Sequence, residues 1–248
     1  MRRSAIFTAI LLAAAVSAFP QGKQMKPKSQ KEGVAIKAML DAQDPNARIK
    51  AADDLITKFA DTEFKAFALY LEADAYAQLG NAEKAIVYGE QTVEADAKSY
   101  QAQVLLAKMY AQGTKPNDLD KEEKLKKASK YATDAIENLK TAEKPNPQLT
   151  DPQWTEMKGD FEGQANLALG IAAAFHNKMD EANAAFDKVA KLDSDPVDLI
   201  RAGRVLIDLK KYAAAVPIFD KVIAFPGVQD QIKQIAVSDK ARAQSMLK

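Results

Sequence analysis

The chain has 248 residues, no cysteine and one histidine, and its 35 basic and 34 acidic residues leave a formal net charge of +1. A balance so close to neutral excludes a bulk electrostatic partner such as nucleic acid or an anionic membrane surface. The missing cysteine excludes disulfides and a lipid-anchored bacterial exit site, so packing alone must hold the fold.

Met1–Ala18 reads as a targeting segment, domain 1–18 of the chain: Arg2 and Arg3 form a basic start, Ala5–Val16 is largely apolar, and Val16-Ser17-Ala18 offers small residues before Phe19. Such a run is too short to cross about 30 Å of hydrocarbon as a helix, so a cleaved signal is expected rather than an anchor. The protein is therefore expected to be periplasmic or secreted, with no transmembrane helix in the mature chain. Without Arg2 and Arg3 the balance becomes 33 basic against 34 acidic residues, a net charge of −1. Residues 19–33 are polar and lysine-rich, the composition of a disordered basic tether.

Residues 34–62 predict a helix pair, Val34–Gln43 and Ala47–Ala60, with Asp44-Pro45 as the second start. Aspartate accepts the free N–H groups of a first turn, and proline has no N–H to waste there. The same dipeptide recurs at Asp151-Pro152 and Asp195-Pro196. From Ala66 the chain repeats itself. Leu169-Gly170, Ala173, Ala182 and Phe186 are followed, 33 residues on, by Ala202-Gly203, Leu206, Ala215 and Phe219. Leu199, Ala202, Gly203 and Leu206 fall on one helical face. Ala215, Phe219, Val222 and Ile223 repeat the spacing after the Lys210-Lys211 break. Glycine inside a helix costs about 1 kcal/mol against alanine. Gly170 and Gly203 are therefore read as points of close approach between helices. Two earlier copies span 66–99 and 100–142, the second with an insertion over Gly113–Lys121. Two later ones span 163–196 and 196–229. Thr141–Pro152, with three prolines, is the clearest loop, and the helix after it carries Trp154, expected to pack against the second copy. Gly159 and Gly163 are read as kink positions in that helix. Pro217 is tolerable only near the start of its helix. Residues 231–248 form a last helix with a polar outer face, a solubilising cap.

This pattern resembles the tetratricopeptide repeat (TPR), W-x2-L-G-x2-Y followed by A-x3-F and a proline. Leu69, Ala73, Tyr76 and Ala85 carry it in the first copy, with Gly89 standing where a bulky residue is usual. The resemblance implies an all-α fold: a right-handed α-α superhelix or TPR-like solenoid over 34–248, about five helix pairs plus a C-terminal capping helix. Helix pairs of this size cannot cover their own apolar faces and must stack on neighbours. The family's groove-facing places fall on Phe67, Tyr70, Asp74 and Gln78 in the first copy. Val104, Lys108 and Gln112 follow in the second, Ile171, Ala174 and Phe175 in the third, and Ile200, Arg204, Ile207 and Asp208 in the fourth. This set lacks the lysine and asparagine cluster with which some relatives clamp a carboxylate terminus. Lys58–Phe64 resembles an inter-repeat joint of outer-membrane assembly lipoproteins of the superfamily, with Ala60 in place of their proline.

No catalytic constellation is found. His176 stands alone, so a metal site would rest on carboxylates. Asp193-Ser194-Asp195 and Asp118-Leu119-Asp120 begin like calcium loops but lack the later glycine and glutamate. Ser245-x-x-Lys248 has no companion motifs. The expectation is a non-catalytic exported scaffold without metal or cofactor. Its concave face would bind a protein or peptide of the cell envelope, unless the tether or the Thr141–Pro152 loop fills that groove. The alternative is a soluble carrier of a small apolar ligand between Tyr70, Phe175 and the loop.

Overall fold

The computed structural model describes residues 25–192 and 195–248. The expected signal segment and most of the expected tether lie outside them, as do Asp193 and Ser194. The described residues form eleven helices and no strand. They run α1 Gln30–Asp41, α2 Pro45–Lys58, α3 Lys65–Gln78, α4 Ala82–Ala95, α5 Tyr100–Gly113 and α6 Lys121–Thr141. Then come α7 Asp151–Phe175, α8 Met179–Leu192, α9 Pro196–Asp208, α10 Tyr212–Ile223 and α11 Asp230–Ser245. That is five consecutive pairs and a closing helix, as the repeat spacing implies.

Helix starts follow local capping chemistry. Asp44 accepts from the Ala47 N–H at 3.0 Å and Asp195 from the Val197 N–H at 2.9 Å, with a proline at the next position each time. At the third Asp-Pro the cap sits one residue earlier than expected. Thr150 Oγ1 accepts from the Gln153 N–H at 3.4 Å, and Gln153 Oε1 accepts from the Thr150 N–H at 3.0 Å. This reciprocal box satisfies two free donors at once, and Asp151 becomes a helical residue. The first helix also starts earlier than the sequence pattern indicates. Ser29 caps it through the Glu32 N–H at 3.1 Å, so residues 30–33, read as tether, are its opening turn. Glu32 is buried there and accepts from Thr62 Oγ1 at 2.7 Å.

Three helix ends close on one geometry. Gly80, Asn177 and Lys210 have φ of 73°, 64° and 58°. The N–H groups of Asn81, Lys178 and Lys211 reach back to Tyr76, Ala173 and Leu206 at 2.9, 2.9 and 2.7 Å. This is the reverse turn that satisfies the last helical carbonyls, and it explains why each first helix stops where it does. Pro217 departs from the expectation: α10 begins five residues before it, so the proline lies inside the helix on an exposed face, where it cannot bond the Ala213 carbonyl.

The chain divides into two compact units. One comprises the residues up to Leu106 together with Glu137–Trp154, the other Ala107–Ile136 with Thr155–Lys248. In the first unit, Ile36, Met39, Ala52, Leu55, Phe64, Phe67, Ala68 and Leu71 form one core across α1, α2 and α3. Trp154 is buried and meets Tyr100, the first residue of the second repeat, at 6.4 Å between ring centres. In the second unit the two glycines are occupied from outside. A Cβ on Gly170 would lie 2.5 Å from the Phe186 ring, and one on Gly203 would lie 2.5 Å from the Phe219 ring. The close approach is thus a phenylalanine ring of each pair's second helix lying on bare backbone of the first. In the copy at 66–99 the sizes are exchanged: Ala73 carries the Cβ, Gly89 replaces the ring, and Leu106 fills the space, 2.9 Å from where a Gly89 Cβ would stand.

Candidate partner-binding faces

In the first unit Phe67, Tyr70, Asp74 and Gln78 share one stripe of α3, at helical spacing. Their environments differ. Phe67 is a core residue, 6% exposed, and is not available to a partner; its ring fills the space under α1 and α2. Tyr70 packs half-buried against the same core, and burial drives its phenol above the ordinary range, with Asp74 adding to the rise. Asp74 is half-buried. Burial raises its carboxyl, while Arg48 of α2 at 3.6 Å and the Gln78 amide, donating at 2.6 Å, oppose the rise. Gln78 is exposed. Val104, on α5 in this unit, is buried. The accessible part of the stripe is therefore its polar C-terminal end.

In the second unit Lys108, Gln112, Phe175, Arg204 and Asp208 come from α5, α7 and α9. Lys108 donates to Asp198 Oδ2 at 2.8 Å and to Gln164 Oε1 at 3.2 Å. Asp198 is 1% exposed and also receives Arg201. Burial alone would raise its carboxyl, but the Lys108 and Arg201 cations hold it below the usual range. Lys108 is thus committed to an internal ion pair spanning 90 residues of sequence. Its neighbour Gln112, one turn on, keeps a buried amide nitrogen without an acceptor among the described residues. Arg204 is held by Asp239 of α11 at 2.7 Å. Ile171, Ala174, Ile200 and Ile207 are buried. Phe175 is half-buried and Asp208 exposed. His176, next to Phe175, bonds Glu122 of α6 at 3.0 Å. Of the positions read from the sequence, Gln78, Arg204 and Asp208 are exposed and Phe175 is half-buried, with Arg204 engaged by Asp239 and Lys108 by Asp198.

Sequence reasoning missed two carboxylates. Asp198 holds the polar network of the second unit together, and its sign in the sequence was only a charge two residues after a helix start. Glu72 is 0% exposed on α3. It occupies the register filled by Leu106, Leu169 and Ala202 in the other copies, so a charge on an apolar position was there to be read. Two aromatic pairs were also invisible. Tyr76 and Tyr88 stack at 5.2 Å under Lys84, and Tyr110 and Tyr131 stack at 6.2 Å with Lys127 and Lys130 over them.

Among the described residues no helix is long and apolar enough to cross a membrane, and no three His, Cys, Asp or Glu side chains gather to hold a metal ion. Comparison with known proteins agrees with the helix hairpins. The tetratricopeptide repeat family model matches residues 68–99. Among curated proteins, none matches the chain. Among solved structures, a thermophilic TPR protein of Thermus thermophilus is similar, at 16% identity and a TM-score of 0.50. The match covers 82% of this chain and 90% of that one. A tetratricopeptide repeat protein of Parabacteroides merdae matches at 16% identity and a TM-score of 0.38, covering 88% and 94%. The assembly chaperone of RpL4 (Acl4) matches at 13% and 0.37, covering 89% and 98%. At these identities the likeness speaks for the fold, and only the Thermus protein carries it in the geometry. With its tandem hairpins, its glycine–phenylalanine crossings and a recognised repeat at 68–99, the chain has the helix-hairpin fold of tetratricopeptide repeat proteins.

Proposed function

We propose that this protein is an exported, non-catalytic scaffold that holds a protein or peptide partner of the cell envelope against the first helices of its repeats. A fold of this type offers rows of first-helix side chains with no chemistry of its own to perform. The observation that carries the reading is the exposure of Gln78 and Asp208 at equivalent helix ends, beside turns of one shared geometry. These groups can bond a peptide backbone or single charges, as an extended or helical segment requires. The apolar groove positions support this reading over a carrier of a small apolar ligand, since Phe67, Ile171, Ile200 and Ile207 already pack inside the chain. Export rests on the basic start, apolar run and small-residue exit of residues 1–18.

A photo-crosslinking residue at Gln78, Phe175 or Asp208, in cells, tests the surface. A discrete adduct at these positions, absent when the residue replaces the exposed Val87 of α4, is expected. Equal capture from Val87, or none from any position, overturns it. Mass spectrometry of the purified protein tests export independently, with a mature chain beginning at Phe19 expected.

A further inference from the structure

Glu72 lies in the middle of α3, wholly buried, and among the described residues neither of its carboxyl oxygens has a hydrogen-bond donor. Its surroundings come from three helices. α2 presents Asp53, whose carboxyl lies beside it and disfavours a second negative charge. α4 presents the Tyr88 phenol, itself pushed up to about 12 by burial and by the Glu72 and Asp53 charges. On α3 itself Tyr76 stacks on Tyr88, and the Lys84 ammonium of α4 sits 4.9 Å over the Tyr76 ring. The Arg48 cation of α2 is turned to Asp74. Nothing in this set compensates an ionised Glu72. A carboxylate so placed has two outcomes: it keeps its proton, or its surroundings part to admit water.

We propose that Glu72 is a proton-held latch in the α2–α3–α4 layer: with its proton it packs as an uncharged side chain and the three helices close, and without it α2 parts from α3. Burial first and Asp53 second raise the carboxyl from 4.5 to about 8, so the latch is shut in mildly acidic and neutral solution and is released in alkaline solution. The sign follows from linkage. The open state binds fewer protons than the closed one between the two values, so opening becomes easier as pH rises across that window and levels off above it. The device is independent of the scaffold reading, since it concerns how one unit holds together and not what it binds.

Amide hydrogen exchange on the full chain, corrected for intrinsic rates, tests it from pH 6 to 9. Opening of α2 and α3 should grow close to tenfold per pH unit between pH 6 and 8, the slope of one proton, while α8, α9 and α10 stay flat. Glu72→Leu should remove that slope, and Glu72→Gln serves the same comparison if the leucine variant does not fold. Asp53→Asn removes the charge that raises Glu72, so the slope should level off at lower pH. An unchanged slope in the Glu72 variants, or an equal slope in α8–α10, overturns the proposal.

Discussion

At the scale of single residues, the second unit is built on rings pressed onto bare backbone. At Gly203 a single added carbon would stand 2.5 Å from Phe219, so the ring must move whatever residue replaces the glycine. Gly203→Leu is expected to cost about 1–3 kcal/mol by overpacking. Adding Phe219→Leu should return part of that loss, because the two changes share one space and do not add. Urea midpoints of the two single variants and the double variant check this; strict additivity would show that the ring and the glycine are unrelated. Lys210 carries a different local cost. Its φ of 58° is left-handed, which crowds any side chain, whereas Gly80 at the equivalent turn meets it freely. Lys210→Gly is expected to raise stability by about 0.5–1 kcal/mol, read as a higher melting temperature with unchanged helical content.

At the scale of elements, the helix boundaries are set by small groups of polar atoms. α7, the longest helix at 25 residues, starts at a threonine–glutamine box and carries Trp154 in its first turn. Thr150→Ala should cost about 1 kcal/mol, the usual value of an N-cap. Asp151→Ala should cost less, since Asp151 lies inside the helix and its side chain pairs with Lys144 as an exposed ion pair. Chemical denaturation of the two variants decides between them, and a larger loss at Asp151 would contradict the cap assignment. The Asp-Pro dipeptide in the sequence marked the right place but the wrong residue. A dipeptide pattern cannot show which of two adjacent oxygens faces the free N–H groups; the backbone geometry does.

At the scale of the whole molecule, two buried carboxyls respond to pH in opposite directions. Asp198 is held below its ordinary range by Lys108 and Arg201. Its contribution is present above the ordinary carboxylate value and is lost as pH falls through the lowered one. Glu72 is raised to about 8, so its contribution is complete at acid pH and is lost as pH rises toward that value. Stability from these two groups should therefore peak well on the acid side of neutrality, at about pH 4. Asp198→Asn should erase the acid limb and, by leaving Lys108 without its counter-charge, cost about 3–5 kcal/mol at neutral pH. Denaturation midpoints from pH 3 to 9 read both limbs, and a profile flat from pH 5 to 9 would contradict the burial of Glu72.

The repeat architecture was legible in the chain because it is periodic. Small residues at Ala73, Ala107, Gly170 and Gly203, apolar stripes at helical spacing and turn residues between them are local features, and each helix pair answers to its own 33 or so residues. The candidate faces were legible only in part. Placing Gln78 and Asp208 on an exposed helix end needs nothing beyond register. Whether Phe67 joins a core, Lys108 answers Asp198 or Arg204 answers Asp239 depends on residues 12 to 90 positions away. Those choices are made by which helices stack, a long-range fact that no local spacing encodes. The same holds for Glu72: the sequence shows a charge on an apolar register, and only the packing of α2 and α4 over it turns that charge into a buried, proton-dependent one.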